Sequence, residues 1–155
     1  MRKVNVKEIE NALKDMSIKT NFYVGEDVLS AFHKAEKKET SPVGRDIISN
    51  LLKNAEIAKN DQVPICQDTG MAVVFVELGQ EVELIGGNIT DAINEGVRRG
   101  YKEGYLRKSV VEDPLKRKNT GDNTPAVIYY DIVPGDKVKV TLAPKGFGRD
   151  RKSVV

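Results

Sequence analysis

Met71-Ala72-Val73-Val74-Phe75-Val76-Glu77-Leu78 divides this chain into a helical front and a strand-rich remainder. The run is apolar, carries β-branched valines and a phenylalanine, and ends at a Gly79-Gln80 turn. A run this short, rich in such residues and bounded by glycine, reads as a buried strand. Working outward, residues 81–85 alternate as a half-exposed strand. Asn88 then caps a helix whose Ile89, Ala92, Ile93 and Val97 lie on one face, and that helix runs out at 100–104.

Before the run, the pattern is helical. Asn5 with Glu8 three positions on has the form of a capping box, and Val6, Ile9, Leu13 and Met16 follow at helical spacing. Val28, Leu29, Phe32 and Ala35 mark a second amphipathic helix. Ser41-Pro42 starts a third, with proline tolerated in its first turn. Its Ile47, Ile48, Leu51, Leu52 and Ala55 predict a broad buried stripe, ending near Lys59-Asn60-Asp61. At the other end, residues 126–133 and 137–142 read as a hairpin joined by Pro134-Gly135-Asp136. In its second strand Val138, Val140 and Leu142 face one way, and Lys137, Lys139 and Thr141 the other. Helices first and strands afterwards predict α+β, with a mixed or antiparallel sheet ending in that hairpin.

The 155 residues suffice for one domain with a true core, and 39% hydrophobic with 31% charged residues is a globular composition. A net charge of +2, from 25 basic and 23 acidic residues, gives no nucleic-acid or membrane-surface footprint. No apolar stretch has the length of a membrane span. The single cysteine excludes an internal disulfide and suits a reducing cytoplasm.

Four polar clusters sit at the ends of expected elements: Cys66-Gln67-Asp68-Thr69-Gly70, Arg107-Lys108-Ser109, Asn119-Thr120-Gly121-Asp122-Asn123-Thr124, and Lys145-Gly146-Phe147-Gly148. The stretch 107–125 lacks either period and is long for a structureless loop, which is a common trait of functional loops. Each cluster alone has a plainer reading. A lone cysteine is most often a small inert hydrophobe, Asn-Gly-Asp runs serve turns, a single arginine decorates a surface, and His33 is an exposed residue on a lysine-rich helix.

Together they resemble one family. Pro64-Ile65-Cys66-Gln67-Asp68-Thr69-Gly70, Asn94-Glu95-Gly96-Val97, Tyr105-Leu106-Arg107-Lys108-Ser109-Val110-Val111, Asn119-Thr120-Gly121-Asp122-Asn123-Thr124-Pro125 and Pro144-Lys145-Gly146-Phe147-Gly148 occur in the order found in class I fumarase and the L-tartrate dehydratase α subunit. Ser41-Pro42-Val43-Gly44-Arg45 is similar as well, so the resemblance covers almost the whole chain, read as one partial N-terminal or α-subunit catalytic domain, 1–155. It implies a hydro-lyase with a 4Fe–4S cluster held by three cysteines, one iron being left open to the substrate. Cys66 would be the first cluster ligand. Gln67 and Asp68 would be catalytic and touch the substrate or its hydroxyl, Arg107 would bind a carboxylate, and Gly146 would offer its backbone N–H to the other end. The resemblance assigns the carbon-proton base to a C-terminal domain or β subunit. The substrate would be a small dicarboxylate, with fumarate favoured over tartrate.

The family's α subunit extends well past position 155 and carries two more cluster cysteines. Where it has a Ser-Glu-Asn type of segment, this chain has Arg149-Asp150-Arg151. The expectation is therefore a fragment or a truncated product that assembles no cluster alone. Residues 71–78 and the last two strands would then lack their covering, leaving an apolar edge or face that invites homo- or hetero-oligomers. Two other readings stand beside this one: a non-catalytic module that pairs through its sheet edge, and a thiol switch at Cys66.

Overall fold

The computed structural model describes residues 1–146. In chain order the elements are β1 (Arg2–Asn5), α1 (Val6–Phe22), α2 (Glu26–Lys38), α3 (Pro42–Asp61), β2 (Met71–Gly79), β3 (Val82–Ile85), α4 (Ile89–Glu103), β4 (Val127–Val133) and β5 (Val138–Lys145). The architecture is α+β, as expected, and every expected helix is present. Two compact units form: Met1–Ile18 with the chain from Gln67 onward, and Lys19–Cys66.

In the first unit β2 is the centre of a three-stranded mixed sheet of order β4-β2-β5. It pairs in parallel with β4, from Val73↔Val127 to Gly79↔Val133, and antiparallel with β5, from Met71↔Lys145 to Leu78↔Val138. The expected hairpin is therefore not formed. The strands that Pro134-Gly135-Asp136 joins lie on opposite sides of β2, and the link crosses the end of that strand. Gly79 N and Glu81 N donate to Lys137 O and Gly135 O, each at 2.9 Å. A Cβ at Gly79 would stand 2.3 Å from Gly135 O, so only glycine admits this crossing. The alternation within β5 does hold: Leu142 is buried and Val138 and Val140 half-buried, while Lys137, Lys139 and Thr141 are exposed.

β1 was not legible in the sequence. It pairs in parallel with β3, from Arg2↔Val82 to Asn5↔Ile85. Asn5 then turns the chain into α1 by accepting a 2.9 Å bond from Lys7 N. Helices α1 and α4 share the core, with Val6, Ile9, Leu13, Ile93, Val97 and Tyr101 buried beside Ala72, Val74 and Val76 of β2. α4 approaches α1 along Gly96 and Gly100, where an added Cβ would lie 2.5 Å from Glu10 O and 2.6 Å from Ser17 Cβ. Burying each such aliphatic side chain stabilises by roughly 1.5–3 kcal/mol, more than the roughly 1 kcal/mol of a typical net hydrogen bond. Core packing therefore dictates which strand is central.

The opposite sheet face is open. Phe75 and Tyr129 stack with centroids 5.2 Å apart at 14°, yet are 45% and 56% exposed. This is the uncovered apolar face expected from residues 71–78.

The second unit holds the end of α1 with α2 and α3. Ser41 caps α3, accepting from Gly44 N at 3.4 Å. The broad stripe expected on α3 is only partly buried: Ala55 is inside, Ile48 and Leu52 are half-buried, and Ile47 and Leu51 are exposed. α2 buries no residue. Two helices and a helix end offer too little opposing surface to cover a wide stripe. A groove of about 670 Å³ remains, lined by Tyr23, Leu29, His33, Leu52 and Ala55 among others. His33 is exposed with Glu36 3.9 Å away, in keeping with its plainer reading. Among the described residues no helix is long and apolar enough to cross a membrane.

Candidate functional site

The topology brings three distant segments to one end of the sheet. β2 begins there, its parallel neighbour β4 begins there, and antiparallel β5 ends there. Loop 67–70, the approach to β4 and residues 145–146 consequently converge. α4 delivers the fourth segment: Leu106 N donates to Tyr101 O at 3.0 Å, ending the helix just before Arg107.

Gly70 adopts φ +68, and a Cβ there would stand 2.2 Å from Lys145 O. Loop 67–70 thus lies directly on the end of β5. Gly146 faces the Asp68 carboxylate, since its own Cβ would be 3.0 Å from Oδ2. Thr69 is buried and donates through Oγ1 to Arg107 O at 2.9 Å. The Asp68, Arg107 and Gly146 positions are therefore gathered by this end of the sheet. Gln67 and the Arg107 side chain are exposed and Asp68 is half-buried. Ser109 Oγ, two residues beyond Arg107, is buried with no hydrogen-bond partner among the described residues. Phe147 and Gly148, the rest of the glycine cluster, lie outside the described residues.

Cys66 belongs to the second unit, where it is exposed. The segment before it is held there by Ile65 N donating to Asn21 O at 2.9 Å and Asn54 Nδ2 donating to Ile65 O at 2.9 Å.

Behind the gathered loops stand two side chains to which the sequence reading gave no role. Tyr101 is buried and donates to Thr69 O at 2.9 Å and Gly70 O at 3.3 Å. Burial, reinforced by the Asp68 charge and partly offset by Asn123, pushes its hydroxyl up to about 12, so it remains a donor at neutral pH. Asn123 is fully buried and bonds to Gly70, Ser109 and Val110. A signal for Tyr101 existed: it continues the Ile93, Val97 face by one turn, and a buried tyrosine needs a partner for its hydroxyl.

Loop 119–124 is moored to α4. Arg98 Nε donates to Asp122 Oδ2 at 2.8 Å, Arg98 also pairs with Glu95, and Asn94 Oδ1 accepts from Ala126 N at 2.9 Å. Burial pushes the Asp122 carboxyl up, but bonds from Arg98 and from the Thr124 N–H and hydroxyl outweigh it and hold it at about 2. The folded value lies below the ordinary 3.8, so this stabilisation is complete above about pH 4 and disappears as pH falls through about 2. Asp122→Asn is expected to flatten that acid limb. At neutral pH it should cost about 1 kcal/mol, after discounting for screening around a partly exposed pair. Thermal unfolding from pH 2 to 7 checks this, and an unchanged acid limb would contradict it.

Residues 10–155 match the family model described as fumarate hydratase (fumerase). The chain belongs to the fumarate hydratase family. A Methanocaldococcus jannaschii protein provisionally named L(+)-tartrate dehydratase subunit alpha is 32% identical over 96% of this chain and 54% of its own length. The anaerobic class I fumarate hydratase of Escherichia coli K12 is 35% identical over 81% of this chain and 23% of its own. The L(+)-tartrate dehydratase subunit alpha of Escherichia coli UTI89 is 32% identical over 79% of this chain and 41% of its own. This fumarate hydratase family chain thus spans about half the length of the first of these relatives, and less of the others.

The donor set does not fit a complete iron–sulfur cluster. The sequence holds one cysteine, and no group of three His, Cys, Asp or Glu side chains is gathered for a metal among the described residues. Such clusters are held by several cysteine thiolates. For this family member, a cluster at Cys66 would need thiolates from outside the sequence given.

Proposed function

We propose that this chain is the dicarboxylate-gripping part of a hydro-lyase that interconverts fumarate and L-malate. The observation that supports it most is the convergence, at one sheet end, of the Asp68 carboxylate, the Arg107 backbone and Gly146 in a member of the fumarate hydratase family. Hydration across a double bond flanked by two carboxylates builds negative charge on one carboxylate as the carbon-bound proton is gained or lost. Fixed donors aimed at that group lower the barrier because they are already in place when charge develops. In this reading Arg107 grips one carboxylate, its planar guanidinium matching the two oxygens. The Gly146 N–H serves the other, with no Cβ to block approach. Asp68 and Gln67 contact the substrate hydroxyl.

The base that handles the carbon-bound proton would come from another domain or a β subunit. The words "subunit alpha" in two relatives' names favour such an assembly. Cys66 would supply one thiolate to a 4Fe–4S cluster completed from elsewhere, in a reducing compartment such as the cytoplasm. L-tartrate is the second substrate reading, carried by the name of the relative that covers 96% of this chain.

Calorimetric titration of the chain with L-malate, L-tartrate and the monocarboxylate L-lactate tests the grip. Either dicarboxylate should bind more tightly than lactate, and Arg107→Ala should weaken it by about tenfold or more, the loss of a charge-assisted pair. Equal affinities for malate, tartrate and lactate would remove the dicarboxylate reading.

A further inference from the structure

We propose that Asn123 is a positioning residue whose buried carboxamide sets where Arg107 leaves the fold relative to Asp68. The inference rests on the dicarboxylate reading above and adds to it a residue that touches no ligand.

Asn123 is fully buried, at φ +64. Its Oδ1 accepts from Ser109 N at 2.7 Å and Val110 N at 3.1 Å, and its Nδ2 donates to Gly70 O at 3.1 Å. The amide orientation follows from chemistry, because two partners are backbone N–H groups and the third is a carbonyl. One rigid planar group therefore links the segment after Arg107 to the loop that carries Asp68. A second tie runs the other way, from Thr69 Oγ1 to Arg107 O at 2.9 Å. The tripeptide Arg107-Lys108-Ser109 is pinned at both ends, and both pins connect to Thr69 and Gly70. Tyr101 holds the carbonyls of those same two residues from behind.

The chemistry at position 123 is narrow. Alanine removes all three bonds and leaves the Ser109 and Val110 amides unpaired, while Gly70 O keeps its bond from Tyr101. Aspartate keeps an acceptor for Ser109 and Val110 but, when ionised, sets a carboxylate oxygen against Gly70 O. The guanidinium of Arg107 is exposed, so its average position is only as well defined as the backbone that bears it. Releasing the pins should therefore weaken carboxylate binding without any ligand contact being removed.

The test compares Asn123→Ala and Asn123→Asp with Val97→Ala, which trims a fully buried core side chain of α4 that makes none of these hydrogen bonds. Two quantities are read on the 155-residue chain: amide hydrogen exchange by NMR, and L-malate affinity. In Asn123→Ala, Ser109 and Val110 should exchange about tenfold faster or more relative to Val97→Ala, because local opening there no longer breaks their bonds. Malate affinity should fall by about tenfold in Asn123→Ala and stay at the wild-type value in Val97→Ala. Asn123→Asp should retain Ser109 and Val110 protection and lose affinity to an intermediate degree, and it carries the test if the alanine variant does not fold. Wild-type malate affinity in a folded Asn123→Ala, or Ser109 and Val110 exchange no faster than in Val97→Ala, would overturn the proposal. If wild type binds no malate, the dicarboxylate reading fails by itself, and the exchange comparison still decides whether Asn123 fixes the backbone beside Arg107.

Discussion

Gly70→Ala should lower the unfolding free energy by about 2–5 kcal/mol, combining about 1–2 kcal/mol for a left-handed non-glycine residue with about 1–3 kcal/mol for overpacking. Both causes act at the same atom. The backbone holds φ +68, and the new Cβ would stand 2.2 Å from Lys145 O and 2.6 Å from Gly146 N. These are main-chain atoms at the end of β5, which cannot swing aside as a flexible side chain would. Either loop 67–70 lifts from the sheet or the final residues of β5 leave their register with β2. Urea denaturation reads the loss directly, as a lower midpoint with an unchanged slope. A change below about 0.5 kcal/mol, the usual scatter of neutral surface substitutions, would show that this junction is not as tight as described.

Gly96→Val should be nearly as damaging, at about 3 kcal/mol. Replacing glycine by valine in a helix interior ordinarily stabilises by a few tenths of a kcal/mol, about 0.3, so propensity predicts the opposite sign. The contact decides. A Cβ at Gly96 would meet Glu10 O at 2.5 Å and Leu13 Cβ at 2.9 Å, and the valine branches would press further into α1. Separating α4 from α1 would open the core around Leu13, Ile93 and Val97, all of them wholly or almost wholly buried. Thermal denaturation of this variant beside wild type reads the effect. Equal melting points for wild type and Gly96→Val would contradict the close α1–α4 packing.

The helices were legible because their signals are local. Ser41 and Asn88 cap the helices they were expected to cap, and spacing on α4 identified the face that is buried. The sheet order was not legible. A three-residue link between two strand-like segments is the usual sign of a hairpin, but pairing is settled by which strand can be buried most deeply. The apolar β2 takes that place and separates β4 from β5. β1 escaped notice because Arg2-Lys3-Val4-Asn5 has no alternation of its own and is defined by its partner β3. The wide stripe on α3 was read correctly as apolar, yet stripe width does not tell how much opposing surface a small helical unit supplies.

For the site, motif order indicated the family, and the fold explains why those segments converge: β2 and β4 begin where β5 ends. The sequence did not reveal the supporting layer. Asn123 lay in a run whose Asn, Gly and Asp content has a sufficient explanation as a turn, and its partners Gly70, Ser109 and Val110 become neighbours only in the folded chain. The same holds for Gly146, whose approach to Asp68 depends on the antiparallel register of β5 with β2.

The most direct measurement of the central claim is a backbone amide map of the isotopically labelled chain titrated with L-malate. The account predicts concentration-dependent shifts centred on Asp68, Gly70, Arg107, Ser109 and Gly146, and little change around the groove lined by Leu29, His33 and Leu52. Saturable shifts confined to that groove, or none at 68–70, 107–110 and 146, would contradict it.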